Sequence, residues 1–343
     1  MIDVSFGYAN SRVKAMKSQL LDSEAIRSLF GVSTLDEFID MLENTRYKAA
    51  FVEASTKHQG ISLVMTALRL DFDSDLSEII GLVPRNFRPK AQALLARWQL
   101  KAIQAILASK ASSIPLDPSF MTFLDSKSNE NVSLVAQAPN FTSALMTLSR
   151  IGYEEISSKA LAAYGKSRDY RIALRLIDKY YYEDIAKALS AKNEEREVRV
   201  ILGSELEFYN VTTALRMKNA KIPEQAILKE LIGSSGASSV EGQVAAVPLI
   251  ADAIELVGAR LGIKELAPTF RRSGSLPDVE LVLEKRMYSK ILSATRVSVL
   301  SLGAVLGYFY LKRREIENLR AIALSLQFPS KEELRKNVYA LGA

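Results

Sequence analysis

AIQAILASKASSIP (residues 102–115), NVTTALRMKNAKIP (210–223) and NLRAIALSLQFP (318–329) each carry a helical apolar pattern into a proline, and the three prolines stand roughly 107 residues apart. Proline lacks an amide hydrogen and its ring clashes with the preceding turn, so Pro115, Pro223 and Pro329 each close a helix. About 41 residues before each proline lie Ser74, Tyr182 and Tyr288, near the ends of TALRLDFDS, ALRLIDKYYY and LVLEKRMY. Earlier in each frame comes a helix-ending phrase: MLENTRY to Tyr47, LVAQAPNF to Phe141 and QVAAVPLI to Ile250. Glu207 and Asn210 in the second frame correspond to Glu315 and Asn318 in the third, while the first has Gln99 and Ala102 there.

Self-similarity at a fixed period marks a repeated supersecondary unit, here much longer than a solenoid repeat. The expectation is an all-α chain of three pseudo-symmetric helical lobes: 1–115 with an extra N-terminal helix, 116–223 and 224–343.

Local signals agree. Alternating apolar and polar runs are scarce, and Gly (16) and Pro (10) are too few to punctuate many short strands. Thr34 and Glu37 form a capping box, with Phe38 and Leu42 behind it on one face. Ser330 and Glu333 repeat the device after Pro329. Further breaks are expected at 114–118, at Ile222-Pro223, in the small-residue stretch 233–239, at 272–275 ahead of Pro277, and at Phe328-Pro329.

Composition bounds the function classes. With 48% apolar and 24% charged residues the chain is globular rather than disordered. It has no cysteine, so disulfides, thiolate metal sites and cysteine nucleophiles are excluded. The start, Met1-Ile2-Asp3-Val4-Ser5, has neither the basic nor the apolar region of a signal peptide, so export is not expected. The apolar stretch from Val297 to Leu311 falls short of the roughly 20 residues of a membrane span and reads as a buried core helix. A net charge of +6 favours an acidic partner in principle, but acids are interspersed with the bases, as in Lys312-Arg313-Arg314-Glu315, which is the pattern of a solvated helix face.

Enzyme signatures fail on inspection. Gly165-Lys166-Ser167 matches the end of a phosphate-binding loop, yet Ala160 stands where its first glycine belongs and no strand precedes it, so it reads as a helix–helix turn. His58 is the only histidine, which rules out a histidine pair within the chain, and it reads as an exposed turn residue. Asp71 with Asp73, and Glu194 with Glu195, read as surface carboxylates without a companion base. Tyr180-Tyr181-Tyr182 reads as helix packing rather than a partner patch. No catalytic residue, cofactor or metal is expected.

The opening GYANSRVKAMKSQLL, residues 7–21, resembles the start of the C subunits of archaeal-type rotary ATP synthases, relatives of the d subunits of V-type ATPases. Tyr8, Asn10, Arg12, Met16, Lys17, Ser18, Leu20 and Leu21 carry the likeness. LGYFYLKRREIENLRAIALSL resembles the same family's ending through Lys312, Glu315, Ile316, Asn318, Leu319, Arg320 and Ala323. The resemblance implies a funnel or cup-shaped collar on the cytoplasmic face of the cell membrane. It would sit on the membrane rotor ring of proteolipid subunits, receive the central shaft, and couple ion translocation to ATP synthesis or the reverse without catalysis of its own. Asn10, Arg12, Glu207, Asn210, Glu315 and Asn318 are the partner-binding candidates; the two Glu–Asn pairs, one helical turn apart, either face the opening or pin neighbouring helices. Two other classes compete: a soluble all-helical protein-interaction scaffold, and, from charge alone, a nucleic-acid binder with strongly salt-dependent affinity.

Overall fold

The computed structural model describes residues 7–96, 98–113, 126–190, 195–233, 239–297, 301–327 and 338. Among the described residues the chain is all-α, with eighteen helices and no strand. In order these are α1 Gly7–Lys17, α2 Ser23–Gly31, α3 Leu35–Glu43, α4 Lys48–Ser55, α5 Gly60–Leu82, α6 Arg88–Ala96, α7 Trp98–Ser112, α8 Ser126–Gln137 and α9 Phe141–Arg150. They continue as α10 Glu154–Ser167, α11 Tyr170–Ser190, α12 Arg196–Asn219, α13 Glu224–Glu230, α14 Val240–Ala246, α15 Ile250–Leu261, α16 Leu266–Ser273, α17 Leu276–Val297 and α18 Leu302–Gln327.

Two compact units emerge, one of Met1–Tyr180 with Val299–Ala343 and one of Tyr181–Ser298. In the first, α18 packs on α1, α2, α3, α5 and α6, so the last described helix folds with the first ones, and α7 packs on α8 and α9. In the second, α12 pairs with α17 and supports α13, α14 and α15 around a core that includes Val211, Leu215, Ile227, Ile254, Val257 and Leu266. The lobe boundaries expected at 115 and 223 come from the sequence repeat alone; the compact units part after 180 and after 298.

The repeat has a backbone signature. Gly60, Arg168 and Gly274 stand at or just before the starts of α5, α11 and α17 with φ of 58°, 56° and 63°, spaced as the three prolines are. Ser113 and Lys221, each two residues before its proline, share φ of 57° and 58°. A residue with a Cβ is strained in the left-handed region, so its recurrence at one register marks a shared turn. After α12 that turn satisfies the free carbonyls through Ile222 N–H to Met217 C=O, 3.0 Å, and Lys221 N–H to Lys218 C=O, 2.9 Å. Lys110 and Lys218 sit at equivalent positions and do the same work. Lys110 Nζ donates to the Ala136 and Ala138 carbonyls at 2.8 and 2.6 Å, and Lys218 Nζ to the Ala245 carbonyl at 2.7 Å, placing a cation at the C-terminal ends of α8 and α14.

The capping box at α3 forms as expected: Glu37 N–H donates to Thr34 Oγ1 at 3.2 Å and Glu37 Oε2 accepts from Ser33 and Thr34, with Phe38 and Leu42 buried. Pro223 stands at the N-cap of α13, and the break at 272–275 ends α16 on Gly274. Pro115 with the 114–118 break, the stretch 234–238, Phe328-Pro329 and the box at Ser330 and Glu333 lie outside the described residues. The apolar stretch 297–311 departs from the reading as one helix: Val297 ends α17 and Leu302 opens α18, where Ser301 Oγ accepts from the Gly303 amide at 3.1 Å. The hydroxyl satisfies a free N–H, which lets a new helix begin inside an apolar run. From Leu302 to Leu311 the stretch is largely buried.

Candidate functional site

The first unit is held at its centre by charged groups. Arg46 and Tyr47 lie at the junction of α3 and α4, Asp71 and Asp75 are one turn apart on α5, and Tyr308, Lys312 and Glu315 follow one another along one face of α18. Arg46 lies 3.3 Å from Asp71 and 2.5 Å from Asp75, and donates to the Tyr308 hydroxyl at 3.1 Å. That hydroxyl in turn donates to Asp75. Lys312, with 0% exposure, places Nζ 2.6 Å from Asp71, 2.7 Å from the Tyr47 hydroxyl and 3.1 Å from Glu315. Tyr47 donates to Glu315 at 2.6 Å, and the Leu21 amide, beyond the end of α1, donates to the second Glu315 oxygen.

The two phenols and the guanidinium are held in the state these contacts require. Burial, with Glu315 and Asp71 beside it, raises the Tyr47 phenol well above its ordinary value, and burial with Asp75 does the same to Tyr308. Both stay protonated and donate. Burial alone would lower the Arg46 guanidinium, but Tyr308, Asp71 and Asp75 outweigh it and raise it, so the cation is permanent. Asp75 is pushed up by burial against the pull of Lys312 and Arg46. Desolvating ions costs several kcal/mol each, recovered only where partners are well placed, so the cluster specifies a unique packing of α18 against α3, α4 and α5 more than it adds stability. Its chemistry is that of a clasp.

The six sequence candidates divide between this clasp and other contacts. Glu315 is part of it. Asn10 on α1 and Asn318 on α18 are buried, at 2% exposure each. Arg12 pairs with Glu78 of α5 near the surface. Asn210 spans the Ile232 peptide in both directions, its Nδ2 donating to Ile232 C=O at 2.9 Å and its Oδ1 accepting from Ile232 N–H at 3.0 Å. Glu207 sits half-buried between α12 and α17, 2.5 Å from Arg286 and 2.9 Å from Lys290.

Other singled-out residues are placed clearly. Gly165-Lys166-Ser167 forms the last turn of α10, before Arg168 and the start of α11, so carbonyls rather than amides point from it. His58 is half-buried in a turn with Nδ1 3.0 Å from Ser62 Oγ, more enclosed than expected. Tyr181 and Tyr182 are buried: Tyr181 donates to Glu205 at 2.7 Å, and Tyr182 stacks on Tyr209 at 3.8 Å between centroids. Asp71 corrects its surface reading, because α5 turns it onto α18, where two cations neutralise it. Glu194 lies outside the described residues.

Asp75 and Tyr308 carry no local sequence signal. Their partners are 29 to 262 positions away, beyond any local pattern. The ENTRY phrase and the Lys312–Glu315 spacing are the visible parts of the cluster.

Among the described residues no group of His, Asp or Glu is arranged to hold a metal ion, and no helix is long and apolar enough to cross a membrane. Fold and site together define an all-helical protein whose first unit is closed by a structural clasp between α18 and α3, α4 and α5. Residues 9–337 match the ATP synthase (C/AC39) subunit family, and the chain belongs to it. It is 23% identical over 342 residues to the C subunit of the A-type ATP synthase of Pyrococcus abyssi, covering 97% of this chain and 90% of that protein. The corresponding C subunit of Thermococcus onnurineus is 26% identical over 324 residues, 93% of this chain and 85% of its own length. That of Pyrococcus horikoshii is 24% identical over 339 residues, covering 97% and 90%.

Proposed function

We propose that this chain is a non-catalytic central-stalk subunit of an A/V-type rotary ATP synthase, coupling the membrane rotor ring to the central shaft. The observation that carries the reading is the family match along 9–337, whose relatives are named as C subunits of A-type ATP synthases. On this reading the three repeats build a collar at the cytoplasmic face of the membrane, held there through the ring of proteolipid subunits. Torque demands a body that does not shear, and close-packed helices with low compressibility supply it. The clasp around Lys312 supports the same reading, because it ties α18 to α3, α4 and α5 through polar contacts that tolerate only one geometry. Arg12 and Glu207, the least buried of the six candidates, are proposed to reach partners; Asn10, Asn210, Glu315 and Asn318 hold the helices that present them.

The test is co-purification of the full chain with the purified ring and, separately, with the shaft subunits. Retention on both supports coupling; retention on neither removes it.

A further inference from the structure

The pairs α5·α18 and α12·α17 are equivalent in the repeat, and the surfaces at their seams are used in opposite ways. The register is fixed by Gly60 and Gly274 on one side and by Glu315 and Glu207 on the other. In the first unit the face carries Asp75, Tyr308, Lys312 and Glu315, and it is filled from within the chain by Arg46 and Tyr47. At the same positions in the second unit stand Ser289, Val200, Ser204 and Glu207. What remains is a groove of about 830 Å³.

Its charge is inverted. Arg196, Arg199, Arg286 and Lys290 line it against Glu197 and Glu207 alone, so the groove is cationic where its counterpart is built on carboxylates. Gly203 lies in its floor, and a Cβ added there meets nothing within 4 Å. From Arg196 to Glu207 it runs roughly 16 Å along α12, the length of three helical turns. Small residues on the floor and cations on the rim suit an apolar helix face edged with carboxylates.

We infer that the α12·α17 groove is a docking site for an acidic, amphipathic helix of a partner protein, whose carboxylates take up Lys290 and its neighbouring arginines as Asp71 and Asp75 take up Arg46 within the first unit. The inference rests on the reading of this chain as part of a larger complex, but not on which neighbour supplies the helix.

The experiment uses the assembled complex and the free chain side by side. Labelling of Lys290 by an amine-reactive ester is compared with that of exposed Lys264, and a carbodiimide then joins lysines directly to adjacent carboxylates in a Glu207→Gln chain, which removes the intrachain acceptor. Expected are at least tenfold slower labelling of Lys290 in the complex, and a Lys290 cross-link to a partner Asp or Glu that disappears in Gly203→Met, where the floor is filled. Equal labelling in both states, a Lys290 without a partner cross-link, or a cross-link that survives Gly203→Met overturns the inference. Co-purification reports assembly independently, so an empty groove in an intact complex contradicts this site alone and leaves the coupler reading standing.

Discussion

Lys312 and Tyr47, 265 residues apart, share a buried hydrogen bond of 2.7 Å, and the ammonium also lies 4.2 Å from the centre of the same ring. The cation is thus enclosed by the hydroxyl, the ring face and the carboxylates of Asp71 and Glu315. Removing it leaves Asp71 with Arg46 alone and Glu315 with only the Tyr47 hydroxyl and the Leu21 amide, two desolvated anions sharing one cation too few. Lys312→Met is therefore expected to destabilise the chain by about 3–5 kcal/mol in urea denaturation. Adding Glu315→Gln to it should cost less than the sum of the two single changes, because the residues share one network.

Asn210 makes two buried hydrogen bonds to the Ile232 backbone. Asn210→Ala removes both, at a cost of about 1–3 kcal/mol each. The expected loss is about 2–4 kcal/mol in denaturant unfolding, together with faster amide exchange at Ile232 than in the parent chain.

Asp73 gives a pH signature. Burial raises its pKa from 3.8 to about 7, against a lowering influence of Arg69. The folded chain then binds this proton more tightly than the unfolded chain, so its contribution is complete below pH 3.8 and is lost as pH rises through 7. Asp73→Asn, neutral throughout, should be more stable than the parent at pH 8, by up to about 4 kcal/mol, with the difference shrinking towards zero near pH 4. Thermal unfolding of both chains between pH 4 and 8 measures it.

Arg12 and Glu78 form a pair near the surface, where solvent screens the attraction. Arg12→Ala should leave the thermal midpoint of the free chain unchanged. If Arg12 reaches a partner, the same change weakens co-purification with the ring or shaft.

The helices were legible because their signals are local: the Thr34–Glu37 box, the breaks at Pro223 and Gly274, and the proline register that reappears in the φ values of Ser113 and Lys221. The clasp was not, because its meaning depends on rotation and distance. Asp71 and Asp73 look alike in sequence, yet two residues along a helix turn by about 200°, so one meets α18 and the other does not share its partners. Glu207 and Glu315 occupy one register with different fates. Tyr47 and Lys312 enclose Glu315, while the second unit has Ser204 in place of Lys312 and leaves Glu207 half-buried beside Arg286 and Lys290. A single position in a repeat fixes backbone register; its chemistry is decided by residues far away in the chain.

The decisive test of coupling uses lipid vesicles carrying the ring and the catalytic head, with ATP hydrolysis and ion uptake followed together, with and without this chain. Hydrolysis is expected to continue when the chain is omitted while ion uptake falls to background, and adding the chain back should restore uptake. Ion uptake that proceeds undiminished in its absence would contradict the assignment of this protein as the link between shaft and ring.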